Sequence, residues 1–174
     1  MTEGRGSALP QSIDAHLQQI LAAYRSAVPS IDAGPIQLFG RLGAITRLYR
    51  AFTDRCLASH GVTHPQYQAL GLMRAGIASS ASELAFYLRW GQDSAEDVVQ
   101  SLERAELLER AATEDGRSPG LSLTRKGVQV ADESLREISS AQARALKGLG
   151  DADLRELQGA LDELIGRLAF LDPG

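Results

Sequence analysis

The sequence predicts a mainly α-helical protein with one small β-hairpin: a winged helix-turn-helix domain flanked by helices at both chain ends. Three observations predict it. Within residues 107–127, two short β-compatible runs, Leu107 to Ala112 and Leu121 to Leu123, flank a polar turn holding Asp115, Gly116, Arg117, Pro119 and Gly120. Apolar runs between turn signals on this scale read as a hairpin. Directly upstream, two short helical patterns are separated by a Trp90-Gly91 break. Both chain ends carry long amphipathic stripes too apolar for lone surface helices.

The elements follow in order. Residues 10 to 28 read as a helix with Ile13, Leu17, Ile20, Leu21 and Tyr24 on one stripe, ended by Pro29. Ser30 to Pro35 reads as a connection. A second helix is expected from Ile36 to Ser59, with Phe39, Leu42, Ile45, Leu48, Tyr49 and Phe52 at three- and four-residue steps, stopped by His60-Gly61. Pro65 sits in the first turn of a third helix that runs to Arg74 with Tyr67, Leu70 and Met73 inward, and Gly76 closes it. Ser80 and Glu83 have capping-box spacing and open a short helix with Leu84, Ala85 and Leu88. Asp93 is expected to cap the next helix, whose core side is Val98, Val99 and Leu102. Thr124 caps a long helix to Lys147; Gly148 and Gly150 interrupt it, and Asp151 recaps a last helix from Asp153 to Phe170. The expected organisation is therefore 1–35 as an N-terminal extension helix and 36–62 as a dimerisation helix. Residues 63–127 form the winged helix-turn-helix and 128–174 the C-terminal dimerisation helices. Apolar faces at both ends predict packing across a two-fold axis, making a homodimer.

Composition bounds the function. The 174 residues suffice for one core plus dimerisation helices, and 44% hydrophobic with 23% charged residues is ordinary for a soluble globular protein. Cys56 stands alone, which excludes a disulfide framework within one chain and reads as a small buried hydrophobe. His16, His60 and His64 have no metal-ligand spacing and read as surface or turn residues. No metal or cofactor is expected. Residues 1 to 8 lack the build of a signal peptide, no apolar run has membrane-span length, and a cytoplasmic protein is expected. The absence of Asn and the excess of Arg over Lys point to a GC-rich bacterial genome. No nucleophile elbow, P-loop or dinucleotide fingerprint is present, and no nucleophile has a base at a useful spacing, so an enzyme is not expected. Trp90 reads as a plug of the helix-turn-helix core.

A winged helix-turn-helix lays its second helix in a DNA groove and a basic loop on the adjacent backbone. The side chains that could meet double-stranded DNA are Gln92, Ser94, Gln100, Ser101 and Arg104 on that helix. Arg117 and Ser118 at the wing tip join them, with Arg125 and Lys126 beyond it. The net charge of −4 demands a local basic face. Against one stand Asp93, Glu96 and Asp97, in the helical turn that phosphates would approach. A carboxylate there could instead accept a hydrogen bond from cytosine N4.

The order of elements resembles the MarR family of bacterial transcriptional regulators. The residues that carry the resemblance are Ser82-Glu83-Leu84-Ala85, Leu102-Glu103 with Leu107-Leu108-Glu109-Arg110, the Asp115/Arg117 pair, and Leu123-Thr124 with Gly127. The extra N-terminal helix, with Tyr24 before Pro29 and then Ile31-Asp32, is similar to the subgroup of PecS and urate-responsive regulators. The resemblance implies a homodimer on a pseudo-palindromic operator, most simply a repressor, modulated by a small aromatic or phenolic effector. It also implies an effector site at Tyr24, Gln68, Glu83 and Arg110, with Tyr67 adjacent, where an acid and an arginine would link pocket to wing. Tyr24 and Gln68 stand where those regulators carry Trp and Asp, which favours an uncharged aromatic compound over a urate anion. Two readings stay open: a working repressor, or a MarR-fold dimer with weakened or lost DNA binding that senses a ligand or pairs with another protein.

Overall fold

A computed structural model describes residues 8–111 and 120–171. Its elements are α1 (Ala8–Ala27), α2 (Ala33–Leu57), a 3-10 turn (Ala58–His60), α3 (His64–Arg74), α4 (Ala81–Leu88), α5 (Gln92–Arg104), β1 (Leu108–Ala111), β2 (Gly120–Leu123), α6 (Arg125–Ala145) and α7 (Asp151–Leu171). The fold is mainly α with a two-stranded antiparallel hairpin, as the sequence predicts. Leu108 pairs with Leu123, Glu109 with Ser122, Arg110 with Leu121, and Ala111 with Gly120.

Caps explain most boundaries, and several differ from expectation. α2 begins earlier than expected because the Asp32 side chain accepts a hydrogen bond from Gly34 N–H at 2.9 Å, extending the helix into the expected connection. Thr63 and Gln66 form a reciprocal capping box on α3 that sequence reading missed. At α4, Ser80 caps as expected, accepting from Glu83 N–H at 3.2 Å. The Glu83 carboxylate, however, reaches past Ser80 to the Ser79 N–H at 2.6 Å and hydroxyl at 3.0 Å. Asp93 does not cap α5: Gly91 occupies that position, without a side-chain cap, and Asp93 lies in the first turn. It still favours the helix dipole from there. Asp151 likewise begins α7 instead of capping it, while Asp153 accepts from Gly150 N–H at 3.2 Å.

The core lies behind the helix-turn-helix. Leu57, Leu70, Leu84, Val99, Leu102 and Ile138 are fully buried, drawn from α2 through α6, with Trp90 packed partly buried against them. The half-buried Cys56 packs there as well. Leu121 N–H donates to the Ser79 carbonyl at 2.7 Å, tying β2 to the α3–α4 connection. The terminal helices differ. Among the described residues, α7 buries none, and Leu157, Ile165 and Leu168 stand exposed along it.

Candidate nucleic-acid interface

Helix α5 is amphipathic in the sense a reading helix requires. Ala95, Val99 and Leu102 are buried on one side, with Ala95 an inward position that sequence reading overlooked. Asp93, Asp97, Gln100 and Arg104 recur at four- and three-residue steps on the exposed side. Gln92 and Ser94 are also exposed, and the Gln92 amide donates to the Ser82 hydroxyl at 3.4 Å, linking α5 to α4. Arg104 folds along the helix, its Nε donating to the Gln100 carbonyl at 3.3 Å. Ser101 departs from its expected role. It is half-buried, donates to the Val98 carbonyl at 2.7 Å and accepts from the Gln66 amide of α3 at 3.0 Å. A hydroxyl so engaged inside the domain is not presented to a groove.

Beyond α5, Arg125 is exposed at the first position of α6. Lys126 donates to the Ala105 carbonyl at 2.8 Å and lies 3.9 Å from the Glu106 carboxylate, so it partly serves the end of α5. Arg117 and Ser118 lie outside the described residues.

Arg110 changes the electrostatics of this face. Its Nε donates to Glu103 at 2.9 Å and its Nη2 to Glu96, bridging β1 to α5. Donating to Glu103 first, then to Glu96, raises the guanidinium pKa above its ordinary value. Glu96 is therefore paired and turned toward the wing. Of the three acids expected to confront phosphates, Asp93 and Asp97 remain.

The residues expected around an effector are carried by α1, α3, α4 and β1. Glu83 is held by Ser79, whose backbone N–H and hydroxyl keep its carboxyl below the usual carboxylate range. Its capping-type role and the Glu96/Glu103 bridge leave no Glu83–Arg110 pair among the described residues. Tyr24, roughly half exposed, lines a cavity of about 730 Å³ between α1 and α2. Tyr67 and Gln68 are half-buried on α3. Tyr67 lies 6.1 Å from the His64 ring, which meets Tyr49 edge-on at 6.1 Å. Burial, then the nearby Tyr49 hydroxyl, pushes the Tyr67 phenol up.

His64 and His60 are not the simple surface residues the sequence suggested. His64 Nδ1 lies 3.0 Å from Thr53 Oγ1, and desolvation holds its imidazole below the ordinary value, Arg50 adding to the effect and Asp54 opposing it. His60 Nε2 lies 2.7 Å from the Glu137 carboxylate on α6. The Gln142 amide donates to the Tyr49 hydroxyl at 2.7 Å, so α2, α3 and α6 meet at an aromatic cluster that no sequence spacing announces. Among the described residues no cluster of metal-ligating side chains forms, and no helix is long and apolar enough to cross a membrane.

No family model matches the chain. It is 28% identical over 135 residues to the HTH-type transcriptional repressor Rv2887 of Mycobacterium tuberculosis, covering 76% of this chain and 95% of that protein. The solved M. tuberculosis MarR family protein Rv2887 in complex with salicylic acid superposes with a TM-score of 0.58 at 26% identity, over 73% of this chain and 95% of that one. The Staphylococcus aureus MepR–DNA complex gives a TM-score of 0.68 at 16% identity, over 74% and 94% of the two chains, a likeness of fold alone. The fold is the MarR winged-helix fold that these solved structures share. None of these relatives is an enzyme.

Proposed function

We propose that this chain is a DNA-binding transcriptional regulator, most simply a repressor, acting as a homodimer on a pseudo-palindromic operator and modulated by a small aromatic effector. The observation that carries the reading is α5. A helix buried through Ala95, Val99 and Leu102 turns Gln100, Ser94 and Arg104 outward, next to a hairpin bridged to it by Arg110. Gln and Arg are the side chains that read adenine and guanine edges, and Arg104 and Arg125 suit phosphates. The relative is named a transcriptional repressor, and its solved counterpart carries salicylic acid, which supports a DNA target and an aromatic effector here. The helix preceding α2 supports placement with the PecS and urate-responsive subgroup.

The dimer follows from what the protomer leaves uncovered. Leu157, Ile165 and Leu168 of α7 and Leu38, Ile45 and Leu48 of α2 are exposed apolar side chains on helices that frame one groove. Burying them between two copies recovers about 25 cal/mol per Å² of apolar surface. Two wings would then be held at a fixed separation, as paired half-sites require.

Asp93 and Asp97 on the reading face favour the second reading, a MarR-fold dimer with weak or lost DNA binding. A salt titration of binding to the DNA upstream of its own gene decides between them. The repressor reading expects a shift at low salt, with a shallow salt slope from few phosphate contacts. A folded dimer that shifts no DNA at low salt sinks it.

A further inference from the structure

We infer that the cleft between α1 and α2 is a binding site for a hydrophobic carboxylate of two or three rings. Nothing above required this cleft. Its volume of about 730 Å³ lies in the range of pockets that enclose drug-sized ligands, roughly 300–1,000 Å³. Its walls are apolar, built from Leu17, Ile20 and Leu21 of α1 and Ile36, Phe39 and Ala44 of α2, with Tyr24, His16 and Arg47 as the polar groups.

Two glycines shape it. At Gly40 the helices touch: a Cβ there would lie 2.7 Å from the Leu17 side chain. One turn further, a Cβ on Gly43 would meet only Arg47 Nη1, at 3.4 Å. The helices therefore close at Gly40 and part beyond it, and the guanidinium folds back over the gap. Arg47 is exposed at the rim of the cleft and, like several other arginines of the described residues, has no carboxylate partner.

An arginine fork beside an apolar cleft selects a ligand with a carboxylate at one end and a ring system at the other. The fork matches a carboxylate with two parallel hydrogen bonds, and the walls remove the rings from water. A neutral aromatic would fill the walls and leave the guanidinium unanswered. A helix of a second copy is the competing occupant, and the test below separates it from a small ligand. This inference rests on the effector reading and names its site, and it puts a carboxylate where the sequence favours an uncharged compound. The binding itself needs no DNA.

The test is calorimetry on the full chain with 4-biphenylcarboxylate and its neutral counterpart, 4-biphenylcarboxamide. The acid is expected to bind at least about tenfold more tightly than the amide. Arg47→Gln should erase that preference, weakening the acid about tenfold and leaving the amide unchanged. Gly43→Leu, which fills the cleft from a helical position, should remove binding of both, with helicity and melting temperature confirming a folded protein. Equal affinities for acid and amide, or an acid indifferent to Arg47→Gln, overturn the proposal. So does the absence of saturable binding by the folded wild type at about 1 mM. Gly43→Leu that instead dissociates the protein into single copies, with neither probe binding the wild type, assigns the cleft to self-association and overturns it too. Operator binding measured on the same protein without probe tests the regulator reading separately, so either reading can fail alone.

Discussion

Replacing Gly127 by Ala should destabilise the protein far more than a glycine-to-alanine change inside a helix ordinarily does. Gly127 lies in the first turn of α6, where its N–H donates to the Thr124 hydroxyl at 3.0 Å. A Cβ there would sit 1.9 Å from the Leu107 carbonyl oxygen and 2.9 Å from its carbon. Those are backbone atoms, so no side-chain rotation relieves the overlap. The same carbonyl accepts from Thr124 N–H at 3.1 Å, and the Thr124 hydroxyl donates to the Glu106 carbonyl at 2.7 Å. Moving α6 away breaks this joint. Forced overpacking costs up to about 3 kcal/mol. A lost hydrogen bond adds about 1 kcal/mol. Alanine's better helix propensity returns about 1 kcal/mol. The net loss is about 3 kcal/mol, which for a chain of this size lowers the melting temperature by roughly 6–12 °C. Gly159→Ala is the control. Nothing lies within 4 Å of its Cβ position, so the same exchange should hold or slightly raise stability. A thermal melt reads both variants. Gly127→Ala melting within about 2 °C of wild type would refute the reasoning, because the contact between α6 and the strand entry would then not be rigid.

Arg110→Ala should cost little stability, since each partly exposed ion pair is worth about 0.2–1 kcal/mol. It should nevertheless weaken operator binding by about tenfold or more, because it frees Glu96 and Glu103 and detaches the wing from α5; unchanged affinity in fluorescence anisotropy would argue against the bridge. Asp97→Asn should strengthen DNA binding severalfold at low salt, and Arg104→Ala should reduce the log–log salt slope by about one; identical salt titrations for both would show that this face does not meet phosphates. Leu157→Asp with Leu168→Asp should yield a single-copy particle by light scattering, and a persisting dimer would place the interface elsewhere. The His64 imidazole should titrate below 6.5, its ordinary value, in an NMR titration. The unfolded chain then binds that proton first, so the His64 contribution to stability is present above pH 6.5 and is lost as pH falls through the folded value. A titration above 6.5 would contradict the desolvation that the structure shows.

The local features were legible and the non-local ones were not. Ser80 and Thr124 cap their helices through side chains that reach N–H groups three residues on, so spacing alone reveals them. Gly61 and Gly76 end their helices with φ of 68° and 70°, a conformation that glycine adopts freely and that a breaker reading captures. The hairpin was found because its pattern is local as well. Asp32 was missed although it is a local cap, because Pro35 lay downstream and a proline within the first turn resembles a loop signal. The effector set is not local. Tyr24, Tyr67, Glu83 and Arg110 were gathered by position in a related pattern, whereas their partners in the fold, Ser79 for Glu83 and Glu96 and Glu103 for Arg110, come from packing. Ser101 was read as exposed, and only the packing of α3 on α5 brings Gln66 to it.

Arg110 shows why a charge cannot be assigned from the element that carries it. On β1 it shares a face with the buried Leu108, since alternate strand residues point the same way, so its side chain turns toward α5. There Glu96 and Glu103 stand seven residues apart, two helical turns on the same side of the helix. One guanidinium with separate donors answers both, which a lysine's point charge would do less well. Counted along the sequence, α5 holds four acids before its first base. Counted in space, Glu96 and Glu103 are paired with the wing through Arg110, and Arg104 shares the outer face with Asp93 and Asp97. The acidity that seemed to argue against a groove is thus partly the means by which the hairpin is fastened to the helix that would enter it.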